Sequence, residues 1–91
     1  MGYPMTDDAL DRQVGEFFAR HIRSRPNVDD IKALEPHLAD EPALLRGLGS
    51  RCLEEGRKAM RAGQHMEGRR LDILARQLQQ RAGDAAPLKR P

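Results

Sequence analysis

Residues 44–83 read LLRGLGSRCLEEGRKAMRAGQHMEGRRLDILARQLQQRAG, and they contain the apolar spacing of two helices. Before Gly63, apolar side chains recur at the 3.6-residue period of an α-helix. They are Leu44, Leu45, Leu48, Cys52, Leu53, Ala59 and Met60. A second apolar stripe runs from Leu71 to Ala82. Gly63 favours the left-handed conformation that ends many helices, and Gly83 is a natural stop for the second one. We therefore predict an antiparallel hairpin that turns at Gly63.

Glycines recur on the packing face of the first predicted helix. Gly49, Gly56 and Gly63 are spaced seven residues apart. A glycine inside a helix costs about 0.5–1 kcal/mol relative to alanine. Their position on the apolar face predicts that the backbone of a partner helix approaches closely. Two alternatives remain open from the sequence, a break near Gly47 and one unbroken helix through Gly63.

Two shorter helical segments are predicted before the hairpin. The first begins at Thr6, a good N-cap, and ends before Pro26. Its apolar face contains Leu10, Val14, Phe17, Phe18 and Ile22. We expect the two phenylalanines to anchor this face on the hairpin. Asn27 caps a short second segment, which Pro36 bends or divides.

The composition is that of a small all-α protein. The 91 residues suffice for one domain, and only 3% of them are aromatic, so the core must consist of aliphatic side chains. We assign residues 6–83 to a single helical domain, with a disordered N-terminus at 1–5 and a flexible tail at 84–91. The predicted fold is a small three- to four-helix bundle with a C-terminal antiparallel helical hairpin.

The cysteine content and the apolar runs bear on the cellular compartment. The single cysteine excludes an internal disulfide and points to a reducing environment. The sequence shows neither a charged-then-apolar leader nor a run of eighteen apolar residues, the patterns of secretion and membrane spanning. We expect a cytoplasmic protein without a membrane span.

Small residues recur within residues 52–82 in a pattern that lets two antiparallel helices nest. They are Gly56, Ala59, Gly63, Gly68 and Ala75. In this pattern the segment resembles a single tetratricopeptide-type helical hairpin. Asp72 stands where that family has a large aromatic residue, and no second copy follows, although a solenoid needs about three stacked units. The resemblance implies a helical adaptor built for protein contacts.

The side chains that could carry chemistry do not form a recognisable site. His21, His37, His65 and Cys52 lack the short spacings typical of metal ligands. Cys52 lies on a packing face. Glu54 and Glu55 are adjacent, so on a helix they diverge by about 100° and cannot act as a convergent acid pair. We predict no catalytic residue, no metal and no cofactor, and therefore no enzyme.

The last predicted helix carries two apolar residues on the side that faces away from its packing stripe. Met66 and Ile73 point nearly opposite to the Leu71–Ala82 stripe and have arginines beside them, a composition that protein interfaces favour. The predicted partner-binding residues are Met60, Met66, Arg69, Arg70, Ile73 and Gln77. They indicate a non-enzymatic protein–protein interaction module, acting as an adaptor, chaperone or regulatory subunit. It would dock a partner helix or its own twin, the latter as a homodimer.

The alternative is a small basic helical regulator that binds nucleic acid. Residues 1–40 carry a formal charge of −3, whereas residues 41–82 carry +4. The basic residues in question are Arg57, Lys58, Arg61, Arg69, Arg70, Arg76 and Arg81. No aromatic residues interleave with them and no recognition helix stands out, so a solvated basic face is the simpler explanation.

Overall fold

The computed structural model describes residues 7–85, and the chain is helical over most of this range. The elements are α1 (Asp7–Phe17), a π-helical turn (Phe18–Arg23), a 3₁₀ helix (Ile31–His37), α2 (Pro42–Arg61) and α3 (His65–Ala85). No strand occurs within residues 7–85. The prediction of an all-α bundle that ends in a helical hairpin is confirmed.

The hairpin turns at Gly63, which adopts a φ of 83°. This left-handed conformation is one that glycine adopts without steric cost. The N–H of Gly63 donates to the carbonyl oxygen of Met60 at 3.0 Å, and the N–H of Gln64 donates to that of Ala59 at 2.8 Å. These bonds close the C-terminus of α2, so the alternative of one unbroken rod is excluded.

Two glycines of α2 let the backbone of α3 come close. A Cβ added to Gly56 would lie 3.3 Å from the carbonyl oxygen of Gly68 and 3.3 Å from the Cβ of Leu71. A Cβ added to Gly49 would lie 3.3 Å from the carbonyl oxygen of Ala75. The predicted close approach is confirmed, and α2 runs without a break through Gly47.

The N-terminal helix packs across the hairpin. A Cβ on Gly47 would lie 2.8 Å from Val14 Cγ2, so α1 lies directly against α2. Phe18 is buried in the core, as predicted, whereas Phe17 is only half-buried. The N–H of Ser24 donates to the carbonyl oxygen of Ala19 at 3.3 Å, the i to i−5 bond of a π turn. The apolar period predicts a helix here, and it does not distinguish this wider turn from an α-helix.

The second segment is a 3₁₀ helix that begins at Ile31, not a helix capped by Asn27. Asp30 is its N-cap, and its carboxylate accepts a hydrogen bond from the N–H of Lys32 at 2.8 Å. Leu34 is fully buried and fastens the segment to the core. Pro36 lies inside the short helix.

Two helix ends differ from what the sequence predicts. Asp40 is a residue type that can cap the start of the first hairpin helix, but the N-cap of α2 is Glu41, and the Asp40 carboxylate instead accepts a hydrogen bond from Arg81 Nε at 2.8 Å. α3 continues through Gly83 to Ala85, so the first residues of the predicted tail are helical. The predicted disordered residues 1–5 and residues 86–91 of the tail lie outside the described residues.

Candidate functional site

A groove of about 590 Å³ runs along one flank of the hairpin, between α2 and α3. This hairpin groove is lined by Leu53, Gly56, Arg57 and Met60 of α2 and by His65, Gly68, Arg69 and Asp72 of α3. Its volume lies within the range of about 300–1,000 Å³ that is typical of small-molecule and cofactor pockets. The same small residues that bring the helices together leave the channel open.

Glycine forms the floor of the hairpin groove. Gly56 and Gly68 face each other across it, and a Cβ on Gly68 would lie 3.1 Å from the carbonyl oxygen of Gly56. The side chain of Met60 lies over Gly68, because such a Cβ would also lie 2.6 Å from Met60 Sδ. Met60 is 48% exposed. An unbranched thioether over bare backbone can swing aside or pack against an incoming apolar group.

The rim of the hairpin groove carries uncompensated positive charge. Arg57 on α2 and Arg69 on α3 are exposed, and neither forms an ion pair within residues 7–85. Asp72 is the acid of the groove, and its Oδ2 is already 3.2 Å from Arg76 Nε. The groove therefore offers an apolar floor between two cations, one on each wall.

Four of the six predicted partner-binding residues are exposed, and they lie on two surfaces. Met60 and Arg69 line the hairpin groove. Met66 and Ile73, 87% and 38% exposed, lie on the other flank of α3, beside Asn27. With Met60 they are the large hydrophobic residues most exposed within the described chain. The structure therefore divides the predicted site between the two sides of α3.

Arg70, which the sequence places among the partner-binding residues, instead bonds to groups within its own chain. Its side chain is only 7% exposed. Its Nη1 donates to the carbonyl oxygen of Val28 at 2.7 Å and its Nε donates to Glu67 Oε1 at 2.9 Å. Arg70 thereby holds the loop before the 3₁₀ helix against α3. The sequence gives no sign of this role, because the contact joins residues 42 positions apart.

Gln77 is likewise engaged within the chain. Its Oε1 accepts a hydrogen bond from the N–H of Ile31 at 2.8 Å. That N–H belongs to the first residue of the 3₁₀ helix, where no intrahelical acceptor exists. Gln77 therefore fixes the start of the 3₁₀ helix on α3, and its carbonyl group is not free to meet a partner.

The basic residues that suggested nucleic-acid binding are mostly paired with acids. Lys58 Nζ lies 3.7 Å from Glu55, and Arg81 bonds to both Glu35 and Asp40. Arg70 and Arg76 are paired as described above. Among the seven, the residues without an ion pair within residues 7–85 are Arg57, Arg61 and Arg69. Among these seven residues, the unpaired charge therefore lies at the hairpin groove and at Arg61, the last residue of α2.

Two histidines that no local sequence pattern pairs lie in contact in the fold. The rings of His21 and His37 stack with centroids 4.0 Å apart, joining the π turn to the 3₁₀ helix. Burial lowers the pKa of His21, and the neighbouring charges of His37, Arg20 and Arg25 lower it further. No cluster of three metal-ligating side chains occurs between residues 7 and 85.

Cys52 is fully buried in the core, as predicted. Burial raises the pKa of its thiol to about 12, so the group is protonated at neutral pH. Nucleophilic attack and metal binding both need the thiolate. The structure therefore places Cys52 among the packing residues.

No family model, curated protein or solved structure matches this chain. The resemblance of residues 52–82 to a tetratricopeptide-type hairpin accordingly stays a prediction. Of the helices between residues 7 and 85, none combines the length and the apolar character needed to cross a lipid bilayer.

Proposed function

We propose that this protein is a non-enzymatic interaction module that docks a helix of a partner protein on its last two helices. It would work as an adaptor, chaperone or regulatory subunit, and we expect it in the cytoplasm. The observation that carries the proposal is the hairpin groove, a glycine-floored channel with a half-exposed methionine and two unpaired arginines. Helix-in-groove docking uses an apolar channel of this kind.

The distribution of exposed apolar side chains supports the same proposal. Single exposed hydrophobic residues are ordinary on protein surfaces. Here Met60, Met66 and Ile73 all belong to the hairpin. Methionine adapts its shape to varied partners, and arginine adds charge-assisted hydrogen bonds at the edge of a contact. These features favour a binding surface over a solvated face.

Affinity purification followed by direct titration tests the proposal. A protein that co-purifies with the chain is itself purified and titrated by calorimetry against wild type and a Met60→Asp variant. We expect the variant to weaken binding by more than about tenfold, since a carboxylate on the groove floor must be desolvated. Ala43→Asp, at an exposed position of α2 outside the groove lining, is the matched control and should bind as wild type does. Equal affinity of wild type and Met60→Asp for every purified partner contradicts the proposal.

Self-association is tested separately, because the Met66–Ile73 flank offers a second copy a different surface. Light scattering gives the mass of wild type and of Ile73→Asp. A dimer that becomes a monomer in the variant would make this flank a two-fold interface. A monomeric wild type would leave the hairpin groove as the candidate surface.

Nucleic-acid binding remains the second candidate because Arg57, Arg61 and Arg69 are unpaired. Three phosphate contacts predict that the logarithm of affinity falls with the logarithm of salt concentration at a slope of about −2 to −3. Titration of a generic duplex at low and physiological salt measures this slope. Absence of binding at low salt excludes the candidate.

A further inference from the structure

We infer that the hairpin groove binds an acidic amphipathic helix of another protein. Apolar side chains of the occupant lie on the glycine floor, and its carboxylates meet Arg57 and Arg69. The inference rests on the proposed function and adds to it the charge and shape of the partner.

Charge complementarity is the first argument. Arg57 and Arg61 are one helical turn apart on α2, and like-charge pairs at this spacing destabilise a helix. No acid within residues 7–85 pairs with them or with Arg69 on the facing wall. Carboxylates on an occupant relieve this repulsion and form charge-assisted bonds with guanidinium groups.

The dimensions of the groove are the second argument. Its lining residues extend over positions 53–60 of α2 and 65–72 of α3. Seven residues of helix rise about 10.5 Å, or two turns. Helices that dock in grooves place apolar anchors at i, i+3 or i+4, and i+7, which is the same length. A two- to three-turn helix therefore fits the groove from end to end.

The chain's own acidic helix does not fit as the occupant. α1 carries exposed acids at Asp8, Asp11 and Glu16. However, Val14 of α1 and Phe18 after it are buried in their own core, so α1 of a second copy has no apolar face left to offer. A phosphate backbone is an equally poor match, since Leu53 and Met60 on the groove surface offer it no polar contact. The features together favour a separate protein with an acidic, amphipathic helix.

Three designed peptides test the inference. They share leucines at i, i+3 and i+7 on an alanine-rich helix and differ only in carrying glutamate, glutamine or lysine beside the leucines. Fluorescence anisotropy measures their affinity for the full-length protein. We expect the glutamate peptide to bind about tenfold more tightly than the glutamine peptide, and the lysine peptide to bind least. This preference should shrink at high salt, because exposed charges are screened.

A charge-swap variant supplies the decisive comparison. Arg57→Glu combined with Arg69→Glu should reverse the order, so that the lysine peptide binds best. The double variant Arg12→Glu/Arg46→Glu has the same net charge, and its substitutions are exposed and outside the groove lining. It should keep the preference of wild type. Circular dichroism of both variants verifies that they remain folded.

The remaining outcomes overturn the inference in distinguishable ways. If the three peptides bind equally and the charge swap changes nothing, the inference of an acidic partner is wrong, whereas the proposed docking function is still supported. Absence of binding by any peptide at about 1 mM, a free energy near −4 kcal/mol, removes both. A wild-type dimer that the charge swap dissociates makes a second copy the occupant. A duplex that binds more tightly than the glutamate peptide, and only to unswapped protein, makes the groove a phosphate site.

Discussion

The α2–α3 hairpin and the N-terminal half of the chain are stabilised by different means. In the hairpin, regular helices satisfy their own backbone groups and touch directly at Gly49 and Gly56. The N-terminal half contains a π turn and a 3₁₀ helix, and polar side chains of α3 bond to its loops. Arg70 donates to the carbonyl of Val28, and Gln77 accepts from the N–H of Ile31. Irregular backbone needs such partners because its buried polar groups are otherwise unpaired.

The largest expected effect tests whether the two regions share one core. Leu34 is the fully buried residue of the 3₁₀ helix. Leu34→Ala should lower the free energy of unfolding by about 2–5 kcal/mol, the usual cost of removing a buried leucine. Urea denaturation measures it, and Lys32→Ala on the exposed side of the same segment should stay within about 0.5 kcal/mol of wild type. A loss below 1 kcal/mol for Leu34→Ala would mean that the 3₁₀ helix is only loosely attached.

The close contact within the hairpin is tested by filling it. Gly56→Leu should destabilise the protein by about 1–3 kcal/mol, because the new side chain must displace the backbone of α3. Gly83 is the matched control, since it is helical and exposed with nothing within 4 Å of an added Cβ. Gly83→Ala should stabilise by about 0.5–1 kcal/mol through helix propensity alone. Destabilisation by both substitutions, measured by thermal unfolding, would contradict the packing role of Gly56.

The sequence predicts the hairpin well because its contacts follow from local periodicity. The apolar stripes, the turn at Gly63 and the close approach at Gly56 all have a signal within one or two helical turns. The 3₁₀ helix does not, since its start depends on Gln77, which lies 46 residues away. The residues of the candidate site likewise fall into those that the sequence predicts and those that it does not. Exposure of Met66 and Ile73 follows from the period, whereas no local pattern separates the free Arg69 from its buried neighbour.

Substitutions at the adjacent positions Arg69 and Arg70 measure the difference between a free surface arginine and one that holds a loop in place. Arg70→Met should cost about 1–3 kcal/mol of unfolding free energy, because the carbonyl of Val28 loses its buried donor. Arg69→Met should change stability by no more than about 0.5 kcal/mol, as an exposed and unpaired side chain. The same denaturant series measures both variants. Equal effects would show that Arg70 does not hold the loop to α3.

The smallest expected effect is a dependence on pH that originates in the N-terminal half. The half-buried ring of His21 stacks on His37. Burial and nearby charges lower its pKa in the folded protein. Because the unfolded chain then binds the proton at the higher pH, near 6.5, the free energy of unfolding should fall as the pH drops below that value.

Measurements of unfolding at about pH 7.5 and pH 5 isolate this contribution when wild type is compared with His21→Gln. Since the variant has no imidazole to charge at this position, it should lose less stability over the interval. His65→Gln changes an exposed histidine at the start of α3 and should keep the dependence of wild type. If His21→Gln loses as much stability as wild type, the acid sensitivity arises outside the histidine stack.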